Sequence, residues 1–207
     1  MKLAALISGG FDSPVASYIM AKRGADVILL HMNNGIYSTE KEIEKVKMLA
    51  ERLREVTGKE FPLYILNHEA NQTLIKERCE NHYQCVMCKR TMQFVAREFS
   101  KRNGCSGIIM GDSLGQVASQ TLRNIRAESS GLDFPIVRPL IGMDKTEIID
   151  IAREIGTYDI SKIQSGGCGV VPLKPVTEAK IEKVSELQSK LDFDEMISAC
   201  VDSAKRI

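Results

Sequence analysis

The chain has 207 residues, 43% of them hydrophobic, and its 28 lysines and arginines against 27 acidic residues leave a formal net charge of +1. That is enough apolar material for one substantial core, and too balanced a charge for a protein that attracts nucleic acid through its global field. No apolar run approaches a membrane span, and the opening residues turn polar at Gly9 without a small-residue cleavage site, so a cytoplasmic protein is expected.

In chain order, Leu3–Ile7 is a short apolar run suited to a buried strand, and Pro14–Lys22 reads as a helix with Ser13 as its cap and Pro14 at its first position. Ser8, Gly9 and Gly10 then form the turn between them. Without Cβ atoms the two glycines let backbone N–H groups approach an anion, and the following helix adds its dipole and unpaired donors. Phosphate is the expected guest. The turn lacks the Gly-Lys-Ser/Thr ending of a Walker A loop, and its glycine spacing is not that of a dinucleotide fingerprint. Asp12 would be repelled by phosphates unless a divalent cation such as Mg²⁺ lay between them, which makes it a candidate metal bridge.

Further strands are expected at Val27–Met32, Leu63–Leu66, Gly107–Met110 and Pro135–Val137, most of them continuous apolar runs as buried parallel strands should be. Helices at Thr39–Val56 and Arg90–Lys101 carry apolar stripes at helical spacing. The alternation gives an α/β fold, a doubly wound, mostly parallel five-stranded sheet whose ligands lie beyond the carboxyl ends of the strands. Residues 1–174 would form this nucleotide domain. Residues 175–207, with helices at Val176–Leu191 and Asp194–Lys205, would be a helical tail of the same domain. Topology places His31 and Met32, at the end of the second strand, near a nucleotide base, with Leu6 and Ile7 touching it from the first. Asp144 with Glu147 reads as a capping box opening a helix over Lys145–Ile155. Lys145 therefore sits in a first turn, where a cation opposes the dipole and calls for an anionic partner. Lys89, Arg90, Lys101, Arg102, Arg123 and Arg126 could build a local basic face, or be scattered solvated charge.

Six cysteines in a chain without a secretion signal point away from a disulfide framework and toward metal or catalytic use. Cys85-Val86-Met87-Cys88 is a lone CxxC, incomplete by itself because zinc takes four ligands. Cys79 and His82 are weaker candidates to complete it, and Cys105 and Cys200 read as structural thiols. Cys168, in Ser165-Gly166-Gly167-Cys168-Gly169, sits in a glycine-flanked loop that could bring its sulfur to the nucleotide site. Zinc, an iron–sulfur cluster, free thiols and a persulfide on Cys168 all remain open on the residues alone.

The run Ser8-Gly9-Gly10-Phe11-Asp12-Ser13 resembles the signature of the PP-loop ATP pyrophosphatases, which activate a carbonyl oxygen with AMP and release pyrophosphate. Gly111-Asp112-Ser113-Leu114-Gly115-Gln116-Val117-Ala118-Ser119-Gln120-Thr121, then Arg138-Pro139-Leu140-Ile141 with Asp144-Lys145-Thr146-Glu147, resemble the catalytic domain of the ThiI-type tRNA 4-thiouridine synthases. The resemblance covers nearly the whole chain, without the family's THUMP and rhodanese domains, and implies an adenine nucleotide alpha hydrolase-like fold. It implies that Leu6, Ile7, Ser8, Gly9, Gly10, Asp12, Ser13, His31 and Met32, joined by Lys89, Gly111 and Gln120, bind ATP. It further implies catalytic roles for Asp12, Lys145 and Cys168. Archaeal and anaerobic members resemble this chain in pairing a CxxC with the glycine-loop cysteine. That implies an iron–sulfur cluster, 3Fe–4S or 4Fe–4S, on Cys85, Cys88 and Cys168. The implied partners are tRNA, held through a separate THUMP-type protein, a sulfide or persulfide donor, and a second copy in a homodimer. Two other readings stand beside it: adenylation of a small-molecule acceptor, and a nucleotide- or cluster-binding module without turnover.

Overall fold

A computed structural model describes residues 1–115, 120–166 and 168–207. Gln116–Ser119 of the second motif and Gly167 of the cysteine loop lie outside the described residues. The strands are β1 (Lys2–Leu6), β2 (Asp26–Asn33), β3 (Leu63–Asn67), β4 (Ile108–Ile109), β5 (Ile136–Val137) and β6 (Lys205–Arg206). They form one sheet in the order β5-β4-β1-β2-β3-β6, parallel except for β6, which runs antiparallel to β3. All five expected strands are present. The sixth, two residues long, carries no apolar pattern, because both its side chains face solvent and only its backbone, Lys205 against Ile65, extends the edge.

Alternation along the strands divides the core. Leu3, Ala5 and Ile7 of the first strand and its end face one layer, with Val27 and Leu29 of β2, while Ala4, Ile28, Leu30 and Met32 face the other. The first layer is covered by α1 (Asp12–Lys22), α2 (Glu40–Thr57) and α6 (Lys145–Glu154). The second is covered by α4 (Gln84–Arg102) and, packed on it, α8 (Ile181–Gln188) and α9 (Phe193–Asp202), where Phe94 meets Phe193 edge-on with centroids 5.2 Å apart. Shorter helices α3 (Glu69–Arg78), α5 (Leu122–Glu128) and α7 (Tyr158–Lys162) complete the cover. The chain leaves β1 toward β2 and β3 on one side, then returns to place β4 on the other. The gap beyond β1 and β4 is therefore the topological switch point where ligands of open α/β sheets bind.

Several element boundaries differ from expectation for identifiable reasons. Ser13 is not the cap of α1: the helix begins at Asp12 behind Phe11, and the Ser13 hydroxyl instead accepts the Ser8 N–H at 2.9 Å, closing the turn on itself. Helix α4 starts at Gln84, six residues before the expected Arg90, because Val86 and Met87 are buried, and this puts Cys85 in its first turn and Cys88 at the start of its second. Helix α8 starts at Ile181 rather than Val176, since the backbone before it is bonded elsewhere: Val176 N–H to His82 carbonyl and Ala179 N–H to Asn124 Oδ1, both at 2.9 Å. Helix α9 ends at Asp202 so that the last residues can pair with β3. The capping box at α6 is formed in both directions, Glu147 N–H to Asp144 Oδ1 at 2.9 Å and Asp144 N–H to Glu147 Oε2 at 2.8 Å. No helix among the described residues is long and apolar enough to cross a membrane.

Candidate active site

The glycine turn lies between the carboxyl end of β1 and the start of α1. Its first glycine lies against neighbouring side chains, while a Cβ on Gly10 would meet only an ordinary contact, 3.5 Å from Ser8 Oγ. A Cβ on Gly9 would lie 2.6 Å from Glu42 Oε1. On the opposite wall, a Cβ on Gly111, just past β4, would lie 2.8 Å from the Ser13 amide nitrogen and 3.0 Å from Asp12 carbonyl carbon, so only glycine lets the end of β4 approach the start of α1 so closely. At the mouth, Asp12 Oδ1 accepts from Lys145 Nζ at 2.7 Å, with the lysine also 5.5 Å from the centre of the Phe11 ring. The anionic partner that the first-turn lysine calls for is thus Asp12.

A cavity of about 420 Å³ opens over this turn. Eleven of the twelve residues expected to bind nucleotide line it, from Leu6, Ile7 and Ser8 through Gly10, Asp12 and Ser13 to His31, Met32, Lys89, Gly111 and Gln120. Gly9 is the exception, since its amide faces Glu42. Of the three residues with expected catalytic roles, Asp12 and Cys168 line the cavity, and Lys145 reaches it through Asp12. His31 is buried at the far end, its Nδ1 3.1 Å from the Ile7 carbonyl. A carbonyl only accepts, so Nδ1 carries the proton and Nε2 is left as an acceptor. Burial lowers the imidazole pKa, outweighing the Ile7 bond and the Glu42 charge, and keeps the ring neutral. Gln120 is buried as well, and its Oε1 has no hydrogen-bond partner among the described residues.

At the floor lies a charged cluster, two of whose members, Lys89 and Asp112, line the cavity. Asp112 accepts from Lys89 Nζ on one oxygen and Arg138 Nε on the other, each at 3.0 Å, and Arg138 continues to Ser129 at 2.9 Å. Glu128 completes it, fully buried, with no hydrogen bond to either carboxyl oxygen among the described residues. Burial pushes the Glu128 carboxyl up to about 8 from an ordinary 4.5; Lys89 and Arg138 pull it down and Asp112 pushes it up. At neutral pH it is therefore a neutral acid. Because the folded chain keeps this proton between about pH 4.5 and 8 while the unfolded chain has lost it, the group makes stability fall as pH rises through that window, by up to about 1.4 kcal/mol per pH unit. Above about pH 8 its contribution is flat. Glu128→Gln should flatten that decline; urea midpoints at pH 5, 6.5 and 8 that fall as steeply as in the wild type would contradict it.

The thiols gather at the same end. Cys88 and Cys168 line the cavity, and Cys88 Sγ lies 3.5 Å from His68 Nε2. Burial raises the Cys88 and Cys85 pKa values, and nearby Cys168 adds to both, against the opposing pull of Lys89. His68 is fully buried and lowered to about 4. As placed, however, no three His, Cys, Asp or Glu side chains among the described residues stand together closely enough to hold a metal ion. Cys79, Cys105 and Cys200 are buried free thiols, and His82 pairs with Glu80 at 3.5 Å. Of the residues considered for a basic face, Arg90 is buried, donating to the Glu128 and Ser130 carbonyls and to Gln188, while Arg102 and Arg123 are paired to acids. Sequence reasoning missed Glu42, Asp112 and Ser165. Asp112 stood inside a quoted motif, but Glu42 reads as one more acid on an amphipathic helix.

Comparison with known proteins places these features in context. The sequence model of the family described as thiamine biosynthesis protein (ThiI) matches residues 1–193. A protein of Methanothermobacter thermautotrophicus named probable tRNA sulfurtransferase is 43% identical over 198 residues, 95% of this chain and 51% of that protein. Another so named, from Methanosarcina mazei, is 42% identical over 99% of this chain and 51% of its own length. The chain thus spans about half the length of these relatives. A solved 4-thiouridine synthetase–RNA complex with bound ATP superposes with a TM-score of 0.95 at 33% identity, over all of this chain and 54% of that one.

Proposed function

The chain belongs to the ThiI family, and from that membership we propose that it is the ATP-consuming catalytic part of a tRNA sulfurtransferase that forms 4-thiouridine. The observation that carries the reading is the cavity over the glycine turn, with its amides at one end, the neutral His31 at the other, and the Asp12–Lys145 pair at the mouth. The match to a synthetase whose solved form holds RNA and ATP supports it.

The triphosphate would lie against the glycine turn with its base toward Met32 and His31, where Nε2 accepts from an amino group and Gln120 Oε1 offers a second acceptor. Carboxylates suit a hard cation, and Asp12 would hold Mg²⁺, which would neutralise charge on the phosphates. Lys145 would then exchange Asp12 for the α-phosphate and stabilise the charge that grows there as the uridine carbonyl oxygen attacks and pyrophosphate leaves. Hydrosulfide then attacks the adenylated carbon, and the oxygen departs with AMP. Cys85, Cys88 and Cys168 are the proposed sulfur-handling group. Three thiols beside one cavity suit an iron–sulfur cluster by donor type, but their present separation does not assemble the site, so no step here passes through a cluster. We place tRNA, presented by a THUMP-type region, as the acceptor.

Anaerobically prepared, reduced protein given ATP, sulfide and unmodified tRNA is expected to yield AMP, pyrophosphate and 4-thiouridine, with Asp12→Ala and Cys168→Ala variants as background. AMP no higher than that background would sink the reading. AMP formed with tRNA absent but a small carbonyl acceptor present would move it to a different substrate.

A further inference from the structure

Glu42, in the first turn of α2, touches two parts of the site at once. Its Oε1 accepts from the Gly9 N–H at 2.8 Å, so a carboxylate lies on an amide of the turn that cradles phosphate. Its Oε2 accepts from the Ser165 hydroxyl, at the start of the segment carrying Cys168. The same end of α2 holds that segment elsewhere: Thr39 Oγ1 donates to the Ser165 carbonyl at 2.7 Å and Lys45 Nζ to the Ile163 carbonyl at 2.8 Å. Just before α2, the Tyr37 carbonyl accepts from the Gly169 N–H at 3.0 Å.

We propose that Glu42 is an internal stand-in for a nucleotide phosphate, occupying the Gly9 amide until ATP enters and thereby coupling nucleotide binding to loosening of the Cys168 segment. The proposal rests on the nucleotide reading of this cavity. One N–H cannot serve a carboxylate and a phosphate oxygen together, and two anions at van der Waals distance repel. ATP entry must therefore turn Glu42 away from Gly9, and its bond to Ser165 goes with that movement. The sulfur-bearing segment, still tied through Thr39, Lys45 and Tyr37, is then loosened at Ser165 only when there is a nucleotide to activate the acceptor. Glu42 is a positioning residue in this scheme, acting through Gly9 and Ser165.

The test is calorimetric titration of Mg·ATP into wild type, Glu42→Ala and Glu42→Gln, with hydrogen exchange followed over residues 163–169. Removing a charge-assisted bond that the ligand must break should tighten ATP binding about tenfold in Glu42→Ala and less in Glu42→Gln. In the wild type ATP should speed exchange in the segment; in Glu42→Ala exchange should be fast before ATP and unresponsive to it. Equal or weaker ATP binding by Glu42→Ala, as expected if Glu42 held the magnesium ion instead, overturns the proposal. So does a segment indifferent to ATP in the wild type. Should Glu42→Ala fold poorly, Ser165→Ala keeps the Gly9 contact and should still show fast, ATP-independent exchange in the segment; a preserved ATP response there overturns the coupling. A wild type that binds no ATP fails the nucleotide reading itself and is recognised by that result alone.

Discussion

Lys145→Ala is expected to lower the rate of pyrophosphate release from ATP by about 10²- to 10³-fold, the loss typical of removing one donor aimed at developing transition-state charge. The same change should leave the stability of the fold within about 0.5 kcal/mol of the wild type. Both halves follow from position. Lys145 opens α6, where a cation works against the helix dipole, and its partner Asp12 is bonded across a mouth open to water, with the lysine side chain about half exposed. Such a pair contributes at most about 1 kcal/mol, which the unfavourable dipole offsets. A lysine that adds little to the fold yet points at the one carboxylate of the glycine turn is best explained by what it does when a phosphate replaces that carboxylate as its partner. Quenched-flow measurement of pyrophosphate, beside urea unfolding, separates the two effects. A variant that unfolds more easily but turns over at the wild-type rate would assign Lys145 a structural role.

Much of the glycine-turn end could be read from the sequence because its signals are local. A buried parallel strand is a continuous apolar run, and the glycine turn, Asp12 and the start of α1 sit within six residues of one another, so Leu6–Ser13 carries its own geometry. His31 and Met32 follow from topology alone. What escaped notice depends on residues far apart in sequence. Glu42 lies 33 residues from Gly9 and meets it only after α2 is folded back over β1. Ser13 looked like a cap because a serine before a proline usually is one, and the hydroxyl was instead taken by the Ser8 amide. The early end of α9 and the two-residue β6 are decided by a free sheet edge beside β3, which no propensity encodes. Arg90 belongs to the same class: a charge on a helix reads as surface until the Phe94 and Phe193 rings pack against its guanidinium and three carbonyls collect its donors.

The buried cluster at the floor gives the largest expected change in stability. Asp112→Ala should cost about 3–5 kcal/mol, because it leaves Lys89 and Arg138, both mostly buried, without the carboxylate that each donates to. Part of that cost has a built-in remedy. Glu128 is held neutral by burial, with Asp112 adding to the effect, while Lys89 and Arg138 favour its ionised form. With Asp112 gone, one repulsion is lifted and two cations remain unpaired, so the Glu128 carboxyl should ionise and partly take over the vacant role. Glu128→Gln alone should then stabilise the fold near pH 7, by up to about 3 kcal/mol, since it keeps an uncharged buried group there without the cost of holding a proton that the unfolded chain has lost. In the Asp112→Ala background that gain should disappear, and the double variant should be less stable by at least about 1 kcal/mol than the sum of the two single effects. A double-mutant cycle by urea unfolding at pH 7 measures that difference directly. Simple additivity would mean that Glu128 does not respond to the charges around it, and that the floor of the cavity depends on Asp112 alone to hold Lys89 in place.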